Sequence, residues 1–179
     1  VYLINIPSTL PWQLRALAPY GCDRHYVDSV RGPAMKTGIH VGGGSVDGRV
    51  YNCQLNPSSY VFQRHVYDSI PTSGDLDGVY QLAWHQAVPY KIGDVTGQIL
   101  HQNFVFGGYI GAHLLSENGR GPSGQCLGLG IDQCTTAIGV DSIGTHGLDM
   151  INSQIVTVDY RSGRYLETGS SLTSPFRMF

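Results

Sequence analysis

Apolar and polar positions alternate along this chain in short runs, and Gly or Pro interrupts nearly every window of ten residues. Runs rich in β-branched and aromatic residues, each bounded by Gly, Asn, Asp or Ser, predict strands. They fall at Gly38–Val41, Arg49–Leu55, Gly78–Ala83, Ile99–Phe106, Tyr109–Leu115, Gln125–Leu129, Thr136–Val140 and Gln154–Val158, and Val1–Ile6 has the same texture. Helical periodicity is confined to one turn near Trp12–Ala18, and the glycine punctuation elsewhere leaves little room for another. The pattern predicts an all-β fold.

Many short strands suit either a β-sandwich or a solenoid, and the turns separate the two. Hairpin dipeptides are rare, with Asn118-Gly119 the main instance. Instead, a polar pair leads into an apolar run in Asn52-Cys53-Gln54-Leu55, in His101-Gln102-Asn103-Phe104-Val105, in Asp132-Gln133-Cys134 ahead of Ala137-Ile138, and in Asn152-Ser153-Gln154-Ile155-Val156. The intervals, 31 residues from Asn103 to Cys134 and 20 from Cys134 to Gln154, fit irregular coils of a parallel β-helix with Asn and Gln stacked along its axis. A β-sandwich, which requires antiparallel strands, is the alternative.

Composition narrows the function. With 179 residues the chain suits one domain, and with only 13% charged residues and 24 Gly it is neither a helical bundle nor a charged disordered tail. A net charge of −2 with no basic run argues against nucleic acid. No apolar run approaches the roughly 18 to 20 residues that span a bilayer. The chain begins at Val1 with no legible targeting signal, as a processed or partial chain would. Cys22, Cys53, Cys126 and Cys134 form no CxxC pair; Cys126 and Cys134 are close enough in sequence to bridge, and small buried thiols are the other reading.

Three stretches carry a resemblance: Thr37-Gly38-Ile39-His40-Val41-Gly42-Gly43-Gly44-Ser45; Asp47-Gly48-Arg49-Val50-Tyr51-Asn52-Cys53-Gln54-Leu55-Asn56-Pro57; and Gly144-Thr145-His146-Gly147-Leu148-Asp149 through Asn152-Ser153-Gln154-Ile155-Val156. In rung texture they resemble the right-handed parallel β-helix proteins of the pectate-lyase superfamily, which includes polysaccharide lyases, glycoside hydrolases and phage tailspike domains. The resemblance implies coils over residues 36–160, between an irregular leading segment 1–35 and an irregular tail 161–179, within a single domain. It also implies an extracellular or secreted protein that acts on or binds polysaccharide. Members of that group cap the N-terminal end of the solenoid. A chain that starts in a strand departs from this, which implies a fragment, a homo-oligomer, or a larger chain supplying the missing coils.

Hydrolysis of a glycosidic bond needs two facing carboxyl groups. Asp132, Asp141 and Asp149, with His146 beside them, are the candidate catalytic set; acids on neighbouring rungs come within reach because rungs lie about 4.8 Å apart. Asp side chains that cap turns explain the same residues. Asp68, Asp75 and Asp77 precede Gly78 with a spacing that can wrap calcium, but the full twelve-residue loop is missing, so a solvated turn is the main reading, with no cofactor expected and calcium the alternative. Lyase chemistry needs a strong base, and Lys36, Arg49, Arg64, Lys91 and Arg120 are scattered. The seven histidines show no metal-ligand spacing, and Gly42-Gly43-Gly44-Ser45 lacks the Lys-Ser/Thr of a phosphate loop. Trp84, His85 and Tyr80 are candidate sugar-binding residues, aromatic faces suiting the apolar side of a pyranose and core packing being the competing use. The expected function is a glycoside hydrolase with paired Asp carboxylates. A non-catalytic fibre and a calcium-dependent polysaccharide lyase are the alternatives.

Overall fold

The short apolar runs become rungs of a parallel β-solenoid of about five turns, seen in a computed structural model that describes residues 23–59, 73–158, 163–170 and 172–179. One sheet stacks β1 (Tyr26–Asp28), β5 (Arg49–Tyr51), β9 (Gln98–His101), β11 (Gly124–Leu127), β13 (Leu148–Ile151) and β16 (Phe176–Met178). A second sheet is built from β2 (Arg31–Gly32), β3 (Thr37–Val41), β6 (Gln54–Leu55), β7 (Val88–Ile92), β10 (Phe104–Leu114), β12 (Gly130–Val140), β14 (Gln154–Thr157) and β15 (Arg164–Thr168). A small third ladder pairs β4 (Ser45–Val46) with β8 (Val95–Thr96). Every ladder among the described residues is parallel, so the sandwich alternative is not what forms. Coiling runs from β1 to β16 and so extends past residues 36 and 160 at both ends. The Asn118-Gly119 hairpin does form: Glu117 and Arg120 make an antiparallel bridge across it, and both central residues have positive φ, 53° and 74°, as a tight two-residue turn demands.

The corner between the two sheets explains the polar pairs. Ser29, Asn52, Gln102, Gly128 and Asn152 occupy equivalent places in successive coils, and all have φ between 51° and 66°. Left-handed backbone is tolerated by Gly and by short polar side chains that bond locally, and this is why amides recur there. The next residue in each coil, Val30, Cys53, Asn103, Leu129 or Ser153, follows that corner, and the first four of these side chains are buried. Hence Asn103 does not stack on Asn52 and Asn152 but enters the core. The true register aligns Gln54, Phe104, Gly130 and Gln154, giving coils of 26 residues from Phe104 and 24 from Gly130 rather than 31 and 20. Asp132-Gln133-Cys134 is a different corner, inside β12, where Gln133 (φ 54°) lies beside Gly107 (φ 77°) of β10.

Inward rows fill the solenoid. Leu100, Cys126 and Met150 stack from the first sheet, and Ile39, Tyr90, Ala112 and Ile138 from the second, all buried. The Tyr90 hydroxyl donates toward the carbonyls of Cys53 (3.0 Å) and Phe104 (3.3 Å), and burial pushes its pKa well up. Cys53, Cys126 and Cys134 are free, so no Cys126–Cys134 bridge exists; the two residues lie on different sheets, and burial raises each thiol to about 12, leaving them unreactive fillers. Cys22, Val1–Ile6 and Trp12–Ala18 lie outside the described residues.

One expectation fails outright. Gly78–Ala83 is not a strand but part of a helix, α1 (Ser73–Gln86), inserted between β6 and β7. Leu76, Val79, Tyr80, Ala83, Trp84 and Ala87 recur at helical spacing and none is exposed, a period that Gly74 and Gly78 disguise in the sequence. The helix packs on β10 and β12: the Trp84 indole N–H donates to the Gln133 carbonyl (2.8 Å), and the Thr135 hydroxyl donates back to the Trp84 carbonyl (3.1 Å).

The last coils carry a removable cost. Thr157 is 5% exposed and its hydroxyl has no partner. Thr157→Val, nearly isosteric, is expected to raise the unfolding free energy by about 1 kcal/mol in urea titration, because it removes an unsatisfied buried group; a loss of stability would show that the hydroxyl is bonded.

Candidate functional site

Register on the outer face of the second sheet assembles a row that no stretch of sequence contains. His40 of β3 pairs with Lys91 of β7, Lys91 with His113 of β10, His113 with Gly139 of β12, and Gly139 with Glu167 of β15. Ile39, Val41, Tyr90, Ile92, Ala112 and Leu114 are buried while His40, Lys91 and His113 between them are not, so alternation turns these three outward. Adjacent members stand about 4.8 Å apart along the axis.

Each imidazole has its own carboxylate. His40 Nε2 lies 2.7 Å from Glu117 Oε1, and His113 Nε2 lies 3.1 Å from Asp141 Oδ1. Glu117 sits at the base of the Asn-Gly hairpin, and its other oxygen accepts from the amides of Gly43 (3.1 Å) and Asp94 (3.2 Å). Burial pushes the Glu117 carboxyl up, but the Gly43 amide, the facing His40 and the Asp94 amide together outweigh it and hold the carboxyl below its ordinary range. Gly42 and Gly93 make the seat: a Cβ at either position would collide with the Glu117 carboxylate. Beside it Arg120 Nη2 stands 2.8 Å from Asp94 Oδ2, an ion pair whose geometry falls short of a hydrogen bond. His40, Glu117 and His113 are each about one-fifth exposed, 24%, 23% and 18%, and thus reachable from solvent, while Asp141 is half exposed.

The predicted acids are dispersed. Asp141 joins the row through His113. Asp149 faces outward from β13 in the first sheet, where Arg177 Nε donates to it at 2.6 Å. With His146 and Arg177 it lines an open depression of about 390 Å³, to which neither Asp132 nor Asp141 contributes. Asp132 lies in β12 opposite Phe106. Tyr80 and Trp84 stack on one another (centroids 5.6 Å apart, 26° between planes), and the Tyr80 ring meets Phe106 edge-on at 5.7 Å, so both hold α1 to the coil. His85 is exposed in the last turn of α1. Asp75 and Asp77 lie in its first turn rather than in a loop, and Asp68 and Arg64 are outside the described residues. His40, His113 and Glu117 were not legible as a group from sequence, and Lys91 was one of five scattered bases.

Among the described residues no group of three or more His, Cys, Asp or Glu side chains is placed to hold a metal ion, and no helix is long and apolar enough to cross a membrane. Comparison with known proteins returns no matching family model, curated protein or solved structure.

Proposed function

We propose that this chain acts on an acidic polysaccharide, cleaving it by β-elimination on the outer face of the second sheet. One observation carries the reading: Lys91 stands between two imidazoles, one hydrogen-bonded to Glu117 and the other 3.1 Å from the Asp141 carboxylate. The ammonium of Lys91 would face the substrate carboxylate and offset the charge that builds there. One imidazole takes the proton from the carbon beside that carboxylate. The electron pair of the broken C–H bond becomes the new C=C bond, the bond to the glycosidic oxygen breaks with its pair, and the departing oxygen takes a proton from the other imidazole.

Hydrolysis by paired carboxylates is less well supported, because Asp132, Asp141 and Asp149 stand in three places, Asp149 against Arg177 and Asp141 against His113. The resemblance in rung texture to the pectate-lyase superfamily adds to the elimination reading and to a right-handed coil, and a polysaccharide substrate implies an extracellular setting. Lysine at the centre of the row takes the part that calcium plays in calcium-dependent lyases.

The test is a panel of neutral and uronate-containing polysaccharides scored for reducing ends and for the ultraviolet absorbance of an unsaturated product. The expected result is the chromophore on uronate polymers only, reduced about 100-fold or more in Lys91→Ala. Reducing ends without the chromophore, lost in Asp149→Asn or Asp141→Asn, would replace elimination by hydrolysis. Silence across the panel would leave a rigid fibre segment as the better reading.

A further inference from the structure

A second site lies at the opposite end of the same strands. The corner between the two sheets carries an open notch of about 550 Å³, floored by Gly128 and Gly130 and walled by Gln102 and Phe104 on one coil and Asn152 and Gln154 on another. We propose that this notch binds an uncharged, hydroxyl-rich sugar residue, independently of the charged row.

Three features point there. None of the residues lining the notch is charged, whereas the row at the far end of β10 and β12 holds two imidazoles, a lysine and their carboxylates. The exposed amides of Gln102, Asn152 and Gln154 each offer both donors and an acceptor, matching hydroxyls that do both and giving no cation to a uronate. The wall is partly aromatic: a Cβ at Gly130 would lie 2.7 Å from Phe104 Cδ2, so the ring occupies the space a side chain at 130 would take and gives the notch an apolar side. The gap exists because Gly128 stands where the adjoining coils carry Gln102 and Asn152, and nothing lies within 4 Å of where a Gly128 Cβ would project. Coils repeat at about 4.8 Å, close to the length of one pyranose, so a chain laid along the axis would meet the amides of successive coils in step.

The backbone itself supplies the test. Gly128 has φ 66°, in the column where Asn52 (51°) and Asn152 (53°) already sit, so Gly128→Asn is accepted by the fold and fills the notch. Short oligomers of an uncharged glucan and of a polyuronate, titrated by calorimetry and by amide chemical shift, are the probes. The expected result is glucan binding that weakens at least tenfold in Gly128→Asn and in Asn152→Gly, with Lys91→Ala unchanged. Glucan binding that survives both notch variants, binding of the polyuronate alone, or no binding to the wild type would each overturn the proposal. Because Lys91→Ala is scored for both binding and elimination, loss of the catalytic reading leaves this one separately decided.

Discussion

Asn103→Ala is expected to lower the unfolding free energy by about 3 kcal/mol, near the top of the range for single substitutions. Asn103 is 2% exposed, yet both polar atoms of its side chain are bonded: Oδ1 accepts from the Cys53 amide (3.0 Å) and Nδ2 donates to the Val50 carbonyl (2.8 Å). Both partners belong to the preceding coil, so this one amide stitches two rungs at the inner side of the corner. Truncation strands the Cys53 N–H in the core, at about 1 to 3 kcal/mol, removes a second bond to the Val50 carbonyl and leaves a cavity besides. Leucine would fill the space but still strand the Cys53 N–H, so Asn103→Leu is expected to be nearly as damaging. By contrast Asn52→Gly, on the exposed side of the corner, should change stability by less than about 1 kcal/mol. Urea titrations of the three variants decide the matter, and a cost below about 1 kcal/mol for Asn103→Ala would mean that the corner relaxes enough to satisfy its own backbone.

The largest effect on activity is expected at the imidazole dyads. His113→Ala and His40→Ala should each reduce unsaturated product by about 100-fold to 10,000-fold, the range for losing a positioned acid or base. Glu117→Gln should cost less, because the ring stays in place while its orienting charge is gone. Gly93→Ala should mimic Glu117→Gln without altering any polar group, since the new Cβ displaces the carboxylate. Equal activity in Gly93→Ala and wild type would break the link between Glu117 and His40. The same carboxylate also sets an acid limit on stability. Its pKa is lower in the fold than in the unfolded chain, so its ionised form contributes stability above the ordinary glutamate range, and that contribution is lost as pH falls through the depressed value. Acid titration of Glu117→Gln by circular dichroism should therefore show a shallower loss of structure below about pH 4 than the wild type.

How far the chain could be read beforehand varied by feature. The Asn118-Gly119 turn was legible because the two residues that adopt left-handed backbone in a tight hairpin are the two named by the sequence. The helix at Ser73–Gln86 was not, because two glycines and a D-x-D-G string carry the local signature of a turn, while the apolar period that overrides it only gains by docking on Phe106 and Gly107 of a later coil. The coil register was misjudged for a related reason: Gln102-Asn103 and Gln133-Cys134 both pair a left-handed residue with an inward one, and sequence cannot tell one corner from another.

The sequence by itself determined the class of the fold. Short apolar runs closed by residues that tolerate left-handed backbone can bury their inner faces only by stacking, and too few hairpin signals exist to stack them any other way. Only the tertiary structure decided which side chains meet. His40 and Lys91 are 51 residues apart and Lys91 and His113 only 22, because the second coil carries the inserted helix and the third does not, so neighbours on the surface share no fixed spacing along the chain.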